Sequence, residues 1–176
     1  MRPAPAYSVC VICSGNICRS PMGEVMLSAM LQSAGLGDQV VVDSAGTGGW
    51  HEGDCADPRT VRALKEHGYD GTHHRAREFR PEWFRERDLI VVADQGHLRD
   101  LRRWAPDSHA AAKVRLLREF DPAAVESGTL EVDDPYYGKA EDFDQCLTVV
   151  ESACRGVAAH VDAELAQQSH RAESPA

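Results

Sequence analysis

One of the six cysteines stands where its sulfur could do chemistry. Cys13 is followed by Ser14, Gly15, Asn16, Ile17 and Cys18, then by Arg19, Ser20 and Pro21, which reads C-x5-R followed by S-P. The spacing alone is weak, because this composition yields about half a C-x5-R match by chance. The context carries more. An apolar run, Ser8 to Ile12, precedes the segment and a helix start follows it, with Ser20 as N-cap and Pro21 as first helical residue. A loop that winds into a helix start turns successive backbone N–H groups inward and makes a nest for an anion. Gly15 permits close backbone approach or a positive φ, and Asn16 tolerates the left-handed region.

A dianion the size of phosphate fits such a cradle, formed by Ser14, Gly15, Asn16, Ile17, Cys18, Arg19 and Ser20. Arg19 can add two parallel donors to two phosphate oxygens. The field at the mouth of the nest favours thiolate over thiol, which makes Cys13 a nucleophile for phosphorus. Ser20 can donate to that sulfur, steadying the thiolate and easing its later departure. No second cysteine pair and no histidine pair at ligand spacing lies nearby, so neither a metal nor a cofactor is expected. Zinc held by Cys10, Cys13 and Cys18 stays open as an alternative. Cys10 sits in the apolar run and reads as a small core residue, and Cys146 and Cys154 read as core thiols.

The elements that must position this loop are short apolar strands alternating with helices. Strands are expected at Ser8 to Ile12, Gln39 to Asp43, Asp88 to Ala93 and Lys113 to Leu117. Helices are expected from Ser20 to Gly35, from Asp57 to Gly68, over Pro81 to Arg87, through Leu98 to Trp104, and from Glu141 onward. In the last helix Phe143, Leu147, Val150, Cys154, Val157, Val161 and Leu165 mark one face. A loop of about 18 residues runs from Asp121 to Gly138, and loops of that length are often functional. The pattern is α/β, a three-layer α-β-α arrangement around a parallel sheet. The phosphate-binding loop lies between the first strand and the first helix, at the carboxyl end of the sheet where ligands bind.

Length and charge bound the rest. A chain of 176 residues fits one domain, expected over residues 8–168, with a disordered N-terminus over 1–7 and a disordered tail over 169–176. The net charge is −9, which disfavours nucleic acid and membrane surfaces as partners. No apolar run is long enough for a membrane helix, and the N-terminal segment does not read as a secretory signal. A cytoplasmic monomer is therefore expected.

The segment V-C-V-I-C-S-G-N-I-C-R-S-P resembles the phosphate loop of the low-molecular-weight protein tyrosine phosphatases, bacterial type. Asp134-Pro135-Tyr136-Tyr137-Gly138 is similar to that family's D-P-Y-Y loop, and Ser44-Ala45-Gly46-Thr47 with Trp50-His51 to its loop beside the active site. The resemblance spans Ser8 to Leu165. It implies a four-stranded parallel sheet, hydrolysis of phosphotyrosine through a phosphocysteine formed on Cys13, and Asp134 as general acid and then base. Asp133 is the rival acid. By the same resemblance Trp50, Tyr136 and Tyr137 wall the cleft, Asp94 supports the site, and Cys18 traps the oxidised nucleophile as a reversible disulfide. Tyrosine-phosphorylated proteins are the implied partners, together with a tyrosine kinase acting on Tyr136 and Tyr137.

Rivals of the same fold remain. Arsenate reductase needs relay cysteines in mid-chain, where none lies between Cys55 and Cys146. A protein-arginine phosphatase carries Thr where Ile17 stands. A phosphotyrosine-binding module without turnover would need neither Cys13 nor Asp134.

Overall fold

The computed structural model describes residues 5–173. Four strands form one parallel sheet: β1 (Tyr7–Cys13), β2 (Val40–Gly46), β3 (Leu89–Val92) and β4 (Val114–Leu116). Their order is β2-β1-β3-β4, so the sheet winds outward in both directions from β1. All seven β1 residues are buried, as expected for a strand covered on both faces. Alternation of its side chains splits the core. Val9, Val11 and Cys13 face α1 (Arg19–Ser33) and α7 (Ala140–Glu173). Cys10 and Ile12 face the other layer, where Phe79, Phe84, Leu98 and Leu101 pack on α3 (Trp83–Glu86) and α4 (Gln95–Trp104). The expected architecture is present. Among the described residues no helix is long and apolar enough to cross a membrane.

The seven apolar positions expected on the last helix are all buried in α7. In α1 the buried stripe is Met22, Met26, Leu27 and Leu31, with Val25 and Met30 only partly covered. The second clear helix, α2 (Pro58–Glu66), starts where Asp57 accepts from the Arg59 backbone N–H at 2.8 Å and Pro58 supplies a preset φ.

Several boundaries differ from expectation. Helix α1 begins at Arg19, with Cys18 as its cap residue and no side-chain cap bond. Ser20 is therefore inside the first turn, and its hydroxyl serves the Cys13 sulfur instead of capping. The expected 121–138 loop contains α6 (Pro122–Ser127), capped by Asp121 and ended by Gly128 at φ +71°. Helix α5 (Ser108–Ala112), capped by Asp107, has no counterpart in the expected elements. Tyr7 is already strand, held by a bond to Gln39 O at 3.1 Å, so the N-terminal disorder expected through residue 7 does not reach it. Residues 169–173 continue α7 past its last buried side chain, because the helical hydrogen-bond ladder propagates without packing; Ser169 Oγ also bonds Leu165 O at 3.1 Å. The remainder of both expected disordered ends, residues 1–4 and 174–176, lies outside the described residues.

Candidate active site

The loop from Ser14 to Cys18 leaves the carboxyl end of the central strand and enters α1 directly. Its carbonyls are turned outward and held by neighbouring segments. Thr47 N donates to Cys13 O at 2.9 Å, Gly48 N to Ser14 O at 3.1 Å, and Asp57 N to Ile17 O at 2.8 Å. His74 Nε2 donates to Asn16 O at 2.7 Å. Among the described residues no protein acceptor takes the N–H groups of Ser14 to Cys18. Outward carbonyls and unpaired amides at a helix start define an anion nest.

Two residue choices make this winding possible. Asn16 has φ +58°, the left-handed conformation. Gly15 does not have a positive φ; it leaves room for the His51 ring, whose Cδ2 would stand 2.9 Å from a Cβ there and would have to shift. Buried Asn16 then fixes the loop from within. Its Nδ2 donates to Ser20 Oγ at 2.8 Å and to Ser44 Oγ at 2.9 Å, and its Oδ1 accepts from Arg77 N at 2.9 Å. Ser44 donates onward to Glu24, whose carboxylate also lies 3.3 Å from His74 Nδ1. Burial pushes the Glu24 carboxyl up, but hydrogen bonds from His74 and Ser44 outweigh it and hold it below the ordinary range.

Cys13, 3% exposed, has its Sγ 2.9 Å from Ser20 Oγ. Arg19, 4% exposed, is fixed at both nitrogens: Nη1 donates to Asp94 Oδ2 and to Val132 O, each at 3.0 Å, while Nη2 lies 3.6 Å from Asp134 Oδ2 and 3.4 Å from Ser14 Oγ. Burial alone would pull the guanidinium down; its neighbours Cys13, Asp134 and Asp94 raise it on balance. Asp94 caps α4 by accepting from His97 N at 3.0 Å. Burial pushes its carboxyl up, yet the His97 N–H, His97 and Arg19 bring it below the ordinary range.

These groups open on a cleft of about 280 Å³. Cys13 and Arg19 line it together with Asp134, whose Oδ1 accepts from Tyr136 N at 3.1 Å. Asp133 faces a neighbouring groove instead. Trp50, 75% exposed, and the tyrosine pair form the rim; the rings of Tyr136 and Tyr137 meet edge to face at 4.9 Å. Ile17, Ser14, Gly15 and Cys18 also line the cleft. Burial and the charge of Asp57 push the Cys18 thiol far up. Cys10 projects into the opposite core layer from Cys13, so the three N-terminal cysteines do not converge on one point and the zinc alternative loses its geometry.

Sequence reasoning missed several partners. His97 is buried and its Nε2 lies 2.8 Å from Ser14 Oγ. Glu24, Ser44 and His74 complete the network behind Asn16, and Arg59 reaches the Asp134 loop. The only local signal was Asp94 standing three residues before His97, a cap spacing that fixes a helix start but names no role.

The comparisons agree with this geometry. A family profile described as "Low molecular weight phosphotyrosine protein phosphatase" matches residues 8–168. A Streptomyces coelicolor low molecular weight protein-tyrosine-phosphatase is 57% identical over 155 residues, 88% of this chain and 93% of the relative. Low molecular weight protein-tyrosine phosphatase A of Mycobacterium tuberculosis is 48% identical over 161 residues, 90% and 94% of the two chains. The crystal structure of an Entamoeba histolytica protein tyrosine phosphatase, with Hepes in its active site, superposes with a TM-score of 0.84 at 29% identity, covering 90% and 98%. With the profile matching residues 8–168 and these relatives covering most of both chains, the chain belongs to the low molecular weight phosphotyrosine protein phosphatase family.

Proposed function

We propose that this enzyme hydrolyses phosphotyrosine in proteins through a phosphocysteine intermediate on Cys13. The observation that carries the reading is the placement of the Cys13 sulfur, 2.9 Å from the Ser20 hydroxyl and at the mouth of a loop whose five amides have no acceptor among the described residues, with Arg19 beside it.

The phosphoryl dianion lies in the nest, its oxygens taking the N–H groups of the loop and the free edge of the Arg19 guanidinium. The Cys13 thiolate attacks phosphorus in line. The S–P bond forms as the P–O bond to the phenol ring breaks, and Asp134 gives its proton to the departing oxygen. Asp134, now a carboxylate, takes a proton from water as that water attacks the phosphocysteine. The S–P bond breaks, inorganic phosphate forms, and the thiolate returns to its hydrogen bond with Ser20. Charge on the equatorial oxygens is met by the same amides and guanidinium in both steps.

The aromatic rim suits a phenyl ring, and branched Ile17 at the cleft wall crowds a guanidinium group. Tyr137, 94% exposed, is the hydroxyl most open to a tyrosine kinase. Six unpaired cysteines, five of them buried, fit the reducing cytoplasm.

Replacing Cys13 by Ser tests the core of the reading. Turnover of a phosphotyrosine peptide is lost while binding of that peptide persists. Residual multiple turnover in Cys13→Ser would remove the sulfur from the nucleophile's role.

A further inference from the structure

The acid loop and the nucleophile loop come from chain segments far apart, yet one short stretch touches both. Asp57 N donates to Ile17 O at 2.8 Å, which anchors the start of α2 on the nucleophile loop. The Asp57 carboxylate then grips Arg59 three ways: Oδ1 accepts Arg59 N at 2.8 Å and Nε at 3.0 Å, and Oδ2 accepts Nη2 at 2.9 Å. The far side of the same guanidinium reaches across to the acid loop. Its Nη2 donates to Tyr136 O at 3.0 Å and its Nη1 to Gly138 O at 3.3 Å. It also lies over the Phe143 ring at 4.4 Å and the Tyr136 ring at 5.7 Å. Between Val132 and Gly138, the polar side-chain contacts reaching this loop from the rest of the described chain come from Arg19 and Arg59.

We propose that Arg59 is a positioning residue that fixes Asp134 over Cys13 by strapping the acid loop to the nucleophile loop. The relay is continuous: Ile17 to Asp57, Asp57 to Arg59, Arg59 to the Tyr136 carbonyl, and the Tyr136 N–H to the Asp134 carboxylate. Arg19 cannot do this task alone. It stands 3.6 Å from Asp134, and in the reaction its guanidinium faces phosphate. A planar fork held by one carboxylate presents its donors to both carbonyls in a fixed geometry, which the rotatable donors of a flexible ammonium do not. Displacing an acid by about 1 Å is enough to slow proton transfer severely.

The proposal rests on Asp134 being the general acid, so the test reads both. Full-length Arg59→Ala, Arg59→Lys, Asp134→Asn and the double variant are compared on phosphotyrosine and on dinitrophenyl phosphate, whose leaving group needs no proton. Arg62→Ala, which removes a charge on the same helix paired with Glu66 and Asp144, is the control. Arg59→Ala is expected to lower kcat on phosphotyrosine about tenfold and on dinitrophenyl phosphate less than about twofold, a partial loss of general-acid catalysis. Arg59→Lys recovers only part of the loss. Adding Arg59→Ala to Asp134→Asn costs little more, since both act on one proton transfer. Equal losses on the two substrates, or none, in Arg59→Ala while Asp134→Asn stays selective would overturn the strap and leave the acid in place. Equal losses in Asp134→Asn itself would remove the acid assignment, and the strap with it.

Discussion

Asn16 Nδ2 donates to Ser20 Oγ across 2.8 Å, and the Cys13 sulfur is a second hydrogen-bond partner of the same oxygen. An oxygen already accepting from Asn16 presents its own hydrogen elsewhere, and the Cys13 sulfur is 2.9 Å away. The Asn16 amide thus leaves the Ser20 hydroxyl free to donate to the Cys13 sulfur.

Ser20→Ala removes the donor that steadies sulfur when it leaves phosphorus. The second half-reaction should slow more than the first, with kcat falling about tenfold to a hundredfold, the scale of a lost hydrogen bond to a charged group. Rapid-quench measurement should show phosphocysteine accumulating. A loss confined to KM would contradict this role.

The two adjacent carboxylates should separate cleanly. Asp134 lines both the cleft and the groove beside it, whereas Asp133 lines the groove and not the cleft. Asp134→Ala should cut kcat on phosphotyrosine by about a hundredfold or more, the usual contribution of a positioned acid. Asp133→Ala should stay within about twofold, as for a solvated loop side chain. Steady-state kinetics on both variants checks the assignment, and a reversed order would move the acid by one residue.

Ile17 sets the wall of the cleft with only 9% of its surface exposed. Ile17→Thr opens room and adds a hydroxyl, so hydrolysis of phosphoarginine should rise by several-fold, on the order of 1 kcal/mol of discrimination. Activity on phosphoarginine is assayed against phosphotyrosine. No gain would remove side-chain bulk as the reason for substrate choice.

His97 makes stability depend on pH. Burial lowers its imidazole below 6.5; the Asp94 carboxylate opposes this, as do Asp100 and Asp134, while Arg19 adds to it. A histidine whose folded form resists protonation costs nothing above pH 6.5, where both states are neutral. As pH falls through 6.5 the unfolded chain gains a proton that the folded one refuses, so stability drops until the lowered folded value is reached. Denaturant unfolding between pH 7.5 and 5 should show this decline, and His97→Gln should flatten part of it. His160, half-buried and also lowered, supplies a residual slope. An unchanged slope in His97→Gln would assign the decline elsewhere.

Local chemistry made much of the site legible before any fold was known. A strand, a loop of Gly and Asn, an arginine at the sixth position after the cysteine and a helix start are contiguous, and covalent spacing alone brings them into one turn. Asp57-Pro58 declared a helix start for the same reason. Asp121-Pro122 carries the identical signal and was obscured by the long polar stretch around it.

What the sequence could not declare is every contact whose partners lie far apart along the chain. Asn16 meets Ser44 and His74, Ser14 meets His97, and Arg59 meets Tyr136 and Gly138. Those meetings follow from the order β2-β1-β3-β4, which places the ends of three strands and the start of α2 around one loop. The sequence by itself marked Cys13, Arg19 and the loop between them, because local backbone geometry suffices to bring them into one turn. Only the tertiary structure decided which side chains hold Arg19 and the Asp134 loop, because Asp94 and Arg59 arrive on different elements.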